Sequence, residues 1–187
     1  FLEGAWTGMT VAHGESRRGK TGVSEDVFQK VGKILTQIPD DFKANSKIIR
    51  QLDAKKKMFA GEASLDWATA EALAYGSLTN EGYAVRLSGQ DCGRGTFSQR
   101  HAILYDQETE NKYIPLSHID PEQARFEVHD SPLSEAAVLG FEYGYSLADP
   151  KTLVLWEAQF GDFVNGAQVL IDQFISSGEA KWLRMSG

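Results

Sequence analysis

The chain has 187 residues, a net charge of −7 at pH 7 and a single cysteine, Cys92. The negative charge gives a nucleic-acid role no electrostatic support, a lone thiol forms neither an internal disulfide nor a metal cluster and fits a reducing compartment, and no apolar run is long enough to span a bilayer. A hydrophobic fraction of 42% with 24% charged residues is ordinary for a globular protein of one domain plus an extension. The first residues, Phe1-Leu2-Glu3-Gly4, carry no initiator Met and no signal-peptide layout, and both ends read as cuts inside a longer chain.

Residues 1–22 are Gly-rich and polar without a sustained period and read as an extension lying on the surface. Ser24-Glu25-Asp26 reads as a helix start. Val27, Val31, Ile34 and Leu35 follow at helical spacing, Gly32 weakens the helix, and Pro39 ends it. A second helix is expected over 47–58, with the Lys55-Lys56-Lys57 run as a solvated face. Residues 1–60 are therefore expected to be a linker that packs on something outside the chain, and 61–187 to be the compact domain.

Within that domain, Ser64-Leu65-Asp66-Trp67 reads as the capped start of an Ala-rich helix ending near 78. A strand over 83–87 leads into a Gly-rich loop over 88–96. Residues 97–104 read as a turn of helix running into a strand, 107–112 as a polar hairpin, 126–128 as a short strand and 134–147 as a helix. The run Leu153-Val154-Leu155-Trp156 suits an interior parallel strand. A helix over 163–175 and the start of another strand at 181–185 complete the pattern. Alternation of this kind predicts an α/β fold with a mainly parallel sheet flanked by helices.

Three places carry chemically useful residues. Glu135 stands in the first turn of a helix beside Pro132, Leu133 and Val138, and burial there would raise its pKa and let it share a proton with a ring nitrogen. The alternative is an acid that satisfies helix N–H groups. Trp156, Phe160 and Phe163 sit at a strand end, where an aromatic ring can stack on a planar ligand, with Gln159, Asp162 and Asn165 as polar neighbours. In the Gly-rich loop, Arg94, Arg100 and His101 could meet an anionic substrate, although no nucleotide-binding glycine fingerprint is present. His13, His118 and His129 show no metal-ligand spacing.

Longer strings point to a family. Leu87-Ser88-Gly89-Gln90-Asp91 with Arg94-Gly95-Thr96-Phe97-Ser98-Gln99-Arg100-His101, Leu133-Ser134-Glu135 with Val138-Leu139-Gly140-Phe141-Glu142-Tyr143-Gly144, and Leu155-Trp156-Glu157-Ala158-Gln159-Phe160-Gly161-Asp162-Phe163 resemble the thiamine-diphosphate-dependent first component of 2-oxoglutarate dehydrogenase. The resemblance runs from about Ser64 to the end and implies a pyrimidine-binding α/β domain. It implies that Glu135 hydrogen-bonds the pyrimidine ring of the cofactor and helps activate it, that Phe160 stacks on that ring with Gln159 and Phe163 nearby, and that Leu133 holds the cofactor bent. It places Gln90 and Asp91 near the thiazolium side, and makes Arg94 and His101 candidates for substrate contact, His101 with a catalytic part.

The resemblance further implies decarboxylation of 2-oxoglutarate, transfer of the succinyl group to a lipoyl arm of dihydrolipoyl succinyltransferase, a homodimer, and a bacterial cytoplasmic or mitochondrial-matrix location. Family members hold Mg2+ and the diphosphate on a G-D-G…N motif, which this sequence lacks. The metal is thus expected on a domain outside this chain, and the isolated chain is expected to be inactive. A transketolase-like or pyruvate-type enzyme and a non-catalytic dimerisation module are the competing readings.

Overall fold

The structure, a computed structural model, describes residues 3–10 and 13–183. Three helices come first: α1 (Glu25–Leu35), α2 (Ser46–Phe59) and α3 (Trp67–Asn80). Each opens on a side chain that accepts a first-turn amide, Ser24 from Val27, Asn45 from Lys47 and Asp66 from Thr69, which satisfies donors the helix cannot. Strand β1 (Val85–Gly89) follows, then a small hairpin of β2 (Leu104–Tyr105) and β3 (Lys112–Tyr113), then β4 (Phe126–Asp130), α4 (Glu135–Ala148) and β5 (Leu153–Glu157). The sheet has the order β4-β1-β5 and is parallel throughout, with Val85 opposite Phe126 and Leu153, and Gly89 opposite Asp130 and Glu157. The expected α/β architecture with a parallel sheet is present.

The N-terminal helices pack on the later residues of this same chain. Val31, Leu35 and Phe59 are buried in one cluster with Ala72, Tyr75, Val85, Leu87, Phe126 and Val128, so a continuous core crosses residue 60. Gly32 explains part of this. A Cβ there would lie 2.4 Å from the Phe59 ring, so the residue that weakens α1 as a helix lets α2 approach it. The described residues before α1 do lie on the surface, where the Trp6 indole N–H donates to the Leu147 carbonyl at 2.6 Å. Lys55 departs from the solvated face assigned to its triplet: it is buried while Lys56 and Lys57 are exposed.

Four further expectations change. β5 is parallel but stands at the sheet edge among the described residues, with its side chains only partly covered. Residues 97–104 form no helical turn. Gly95, Ser98 and His101 all take left-handed φ values, which helix cannot accommodate. The helix over 163–175 is instead a 3-10 stretch (Gly161–Ala167), a short α5 (Gln168–Leu170) and a π turn (Ile171–Ile175), because Gly161, Asn165 and Gly166 are poor helix formers. The strand expected at 181–185 is contradicted at Lys181 and Trp182, which belong to α6 (Gly178–Trp182). There the Lys181 amide bonds the Ser177 carbonyl and Trp182 packs on Phe174 at 5.3 Å. Arg184 and Met185 lie outside the described residues.

Candidate functional site at the carboxyl edge of the sheet

Because β1, β4 and β5 run parallel, their following loops leave from one edge, the place where an open α/β sheet binds ligands. Three segments meet there: the loop after Gly89, the turn after Asp130 and the segment after Glu157. They are tied together closely. The Gly93 amide donates to Asp130 Oδ1 at 2.9 Å, the Ser131 amide donates to the Gly89 carbonyl at 2.7 Å, and the Thr96 hydroxyl donates to the Gln159 carbonyl at 3.3 Å. Gly89 is required by contact, since a Cβ there would stand 2.2 Å from the Glu157 carbonyl oxygen.

Arg100 fastens the loop from below. It is buried, its Nε donates to Glu71 Oε1 of α3 at 2.6 Å, one Nη donates to the Cys92 carbonyl at 2.7 Å, and the other is paired with Glu157 of β5. The guanidinium is held firmly charged by these two carboxylates. Its role is structural, and it is not available to a substrate. Cys92 is sealed beneath, its thiol donating to the His129 carbonyl at 3.1 Å, and burial pushes it up to about 12, far from a nucleophile's range.

On this edge Glu135 is the first residue of α4, and it is half-buried rather than sealed. It is not the helix cap. Ser134 takes that part, accepting from the Ala137 amide, and the Glu135 carboxylate forms no hydrogen bond or ion pair among the described residues. Gly166 comes close to it, because a Cβ at Gly166 would lie 3.4 Å from Glu135 Oε2. The same 3-10 stretch carries Phe163, whose ring is 6.1 Å from that of Phe160. Both rings are exposed, as is Leu133 in the turn before α4. An unpaired carboxylate on the same sheet edge as two exposed aromatic rings can receive a flat heterocycle that offers a hydrogen-bond donor at its rim.

Sequence reasoning missed Phe97. Its ring stands edge-on to Phe160 at 6.0 Å and is 76% exposed. The only signal was an aromatic inside a Gly-rich loop.

The remaining predicted residues divide. Gln90 and Asp91 continue directly from β1, and Asp91, at φ 57°, is paired with Arg94. Arg94 and His101 are not brought to Glu135. They line a groove on the α2 side of the loop, while Thr96 and Phe97 of the same loop face Gln159 and Phe160. His101 is pulled below its ordinary value by burial and then by the Lys55 charge, so it is predominantly neutral at pH 7.

The geometry agrees with what the chain is similar to. The family described as "Transketolase, pyrimidine binding domain" matches residues 63–187. A 2-oxoglutarate dehydrogenase E1 component of Brucella anthropi is 60% identical over the whole of this chain, and those of Brucella canis and Brucella suis are 59% identical. The chain spans 19% of the length of each of these relatives. With the match extending over every element from α3 onward, the chain belongs to the transketolase pyrimidine-binding domain family.

Proposed function

We propose that this chain supplies the pyrimidine-side wall of a thiamine-diphosphate site in an enzyme that decarboxylates 2-oxoglutarate. The observation that carries the reading is Glu135: a carboxylate with no partner among the described residues, set against Gly166 of the stretch that also carries the exposed ring of Phe163, which lies 6.1 Å from that of Phe160. The relatives' names, 2-oxoglutarate dehydrogenase E1 components, support the substrate.

The residues present fit an aminopyrimidine. Phe160 offers a stacking ring with Phe163 near it, Gln159 follows two residues after the end of β5, and Leu133 adds an apolar edge. Gly166 leaves the Glu135 carboxylate open, and Glu135 holds a proton between its oxygen and a ring nitrogen, so the ring amine can act on a neighbouring acidic carbon. Thiamine diphosphate, when bound, supplies the carbon that adds to the 2-oxo group and stores the electrons left when carbon dioxide departs. Gln90 and Asp91, at the end of β1, are assigned to the thiazolium side, and Arg94 and His101 to contact with the anionic substrate.

The same proposal assigns Mg2+ and the diphosphate to residues outside this chain, the acyl acceptor to the lipoyl arm of a dihydrolipoyl succinyltransferase, and the assembly to a homodimer in the bacterial cytoplasm. It keeps residue 60 as the boundary between a docked segment and the cofactor-binding domain. Replacing Glu135 by Ala or Gln in the full-length protein is expected to cut 2-oxoglutarate decarboxylation by roughly 100-fold or more, the range of lost proton-transfer assistance. Decarboxylation at the normal rate in both variants would overturn the proposal in favour of a non-catalytic dimerisation module. The 187-residue chain alone, given thiamine diphosphate and magnesium, is expected not to turn over 2-oxoglutarate.

A further inference from the structure

Phe97 is mostly exposed, yet it is not an isolated apolar residue at the surface. Its ring stands edge-on to that of Phe160, at 6.0 Å and with 83° between the planes, and the Phe160 ring lies 6.1 Å from that of Phe163. Three exposed rings therefore follow one another along the carboxyl edge of the sheet. Single exposed apolar residues need no explanation, whereas a contiguous apolar patch marks a place where something binds.

The backbone that presents Phe97 is closely tied. The Phe97 amide donates to Gln99 Oε1 at 3.0 Å, the Ser98 amide to the Gly95 carbonyl at 2.8 Å, and the Arg100 and His101 amides both to the Arg94 carbonyl at 3.0 Å. The loop is also bound to the segment that carries Phe160. The Thr96 hydroxyl donates to the Gln159 carbonyl at 3.3 Å, and Arg100 is paired with Glu157. The residue before Phe97 is thus held to the residue before Phe160, and the ring pair lies beside two tethers between the same segments. A mostly exposed ring adds little to stability, so the support given to it calls for another reason.

We propose that Phe97 is a positioning residue: its perpendicular contact sets the plane of the Phe160 ring, and so the plane in which a flat heterocycle stacks. The quadrupoles of two aromatic rings favour the edge-to-face arrangement, and rotation of either ring loses it. Phe160 is itself half open to solvent and free to tilt unless a neighbour fixes it. A ring already set in its working orientation loses less freedom when a ligand binds, and that saving appears as affinity. An aliphatic side chain of similar bulk would fill the space without the quadrupole and leave Phe160 unaligned. The inference rests on the reading of Phe160 as the stacking residue for thiamine diphosphate, and adds which residue holds that ring in place.

The test uses the full-length protein with thiamine diphosphate and Mg2+, and follows cofactor binding by calorimetry without turnover. Phe97→Leu is expected to weaken thiamine diphosphate about two- to tenfold, the worth of one aromatic pair. Phe97→Tyr keeps the ring and is expected to bind as the wild type does. In a Phe160→Ala background, Phe97→Leu is expected to cause no further loss, because the ring it orients is gone. The exposed position predicts an unchanged melting temperature and oligomeric state in both Phe97 variants. Unchanged affinity in Phe97→Leu, an equal loss with and without Phe160, or a loss in Phe97→Tyr that matches the one in Phe97→Leu would each overturn the proposal. A changed oligomeric state would overturn it too, by assigning Phe97 to a subunit contact. Unchanged affinity in Phe160→Ala alone is a separate result, which removes the reading of Phe160 and this inference with it.

Discussion

The two strands beside β1 both carry apolar side chains, and these meet different fates. On one side Phe126 and Val128 of β4 are sealed, Phe126 stacked on Tyr75 at 6.0 Å under the helices of the first half of the chain. On the other side Leu153 of β5 is 37% exposed, and the segment beyond it leaves Phe160, Phe163, Phe174 and Trp182 open. The strands hydrogen-bond to β1 in equivalent register, so pairing does not separate them. What separates them is the layer above: α1, α2 and α3 cover the β4 flank, whereas α4 and the irregular turns that follow cover β5 incompletely. An apolar strand sequence announces that a strand is to be covered and says nothing of what covers it.

The bond between the flanks is Arg100, which joins α3 to β5 through Glu71 and Glu157. Replacing it by Met leaves two partly buried carboxylates facing each other without a cation, and the expected loss is about 3–5 kcal/mol of unfolding free energy. Urea denaturation measures this, and a loss below about 1 kcal/mol would show that the flanks are held by packing alone. The difference between the flanks themselves is tested by a pair of truncations. Leu87, in β1 and 1% exposed, should cost about 3 kcal/mol as Leu87→Ala, while Leu153→Ala should cost about 1 kcal/mol or less. Equal losses would mean that β5 is as well covered as the core.

The sequence made the covered flank easier to read than the open one. Caps at Ser24 and Asp66, the Ala-rich α3 and the alternating apolar residues of β1 and β4 are local signals with local causes, and each element appears near where they put it. The burial of Lys55, Val31 and Phe59 against the later domain was not legible, because it depends on contacts across residue 60 that no window contains. Gly32 shows why: as a propensity it argued against α1, and as a contact it is what lets α2 dock. At the candidate site, Glu135, Phe160 and Phe163 were visible as residue types, but the approach of the 3-10 stretch to the start of α4, where Gly166 lies against Glu135, was not. Three left-handed residues in the loop, Asp91, Ser98 and His101, decide which way Phe97 and His101 face, and no periodicity encodes them.

The smallest effect concerns how the covering layer is fastened. Asp106, at the head of the β2–β3 hairpin, accepts the amides of Lys43 at 2.6 Å and of Glu108 and Thr109 at 2.8 Å, tying the connection between α1 and α2 to the hairpin. Those three donors favour the carboxylate and bring it down to about 2. A depressed acid stabilises the fold at any pH above its unfolded value, about 3.9, and that contribution disappears as pH falls through about 2. Asp106→Asn keeps an acceptor oxygen and loses the charge, so the wild type should melt above the variant at pH 6 and the two curves should converge as pH approaches 2. A gap independent of pH would mean that the hairpin is held by shape and neutral hydrogen bonds, and that the covered flank owes its closure to packing rather than to this anchor.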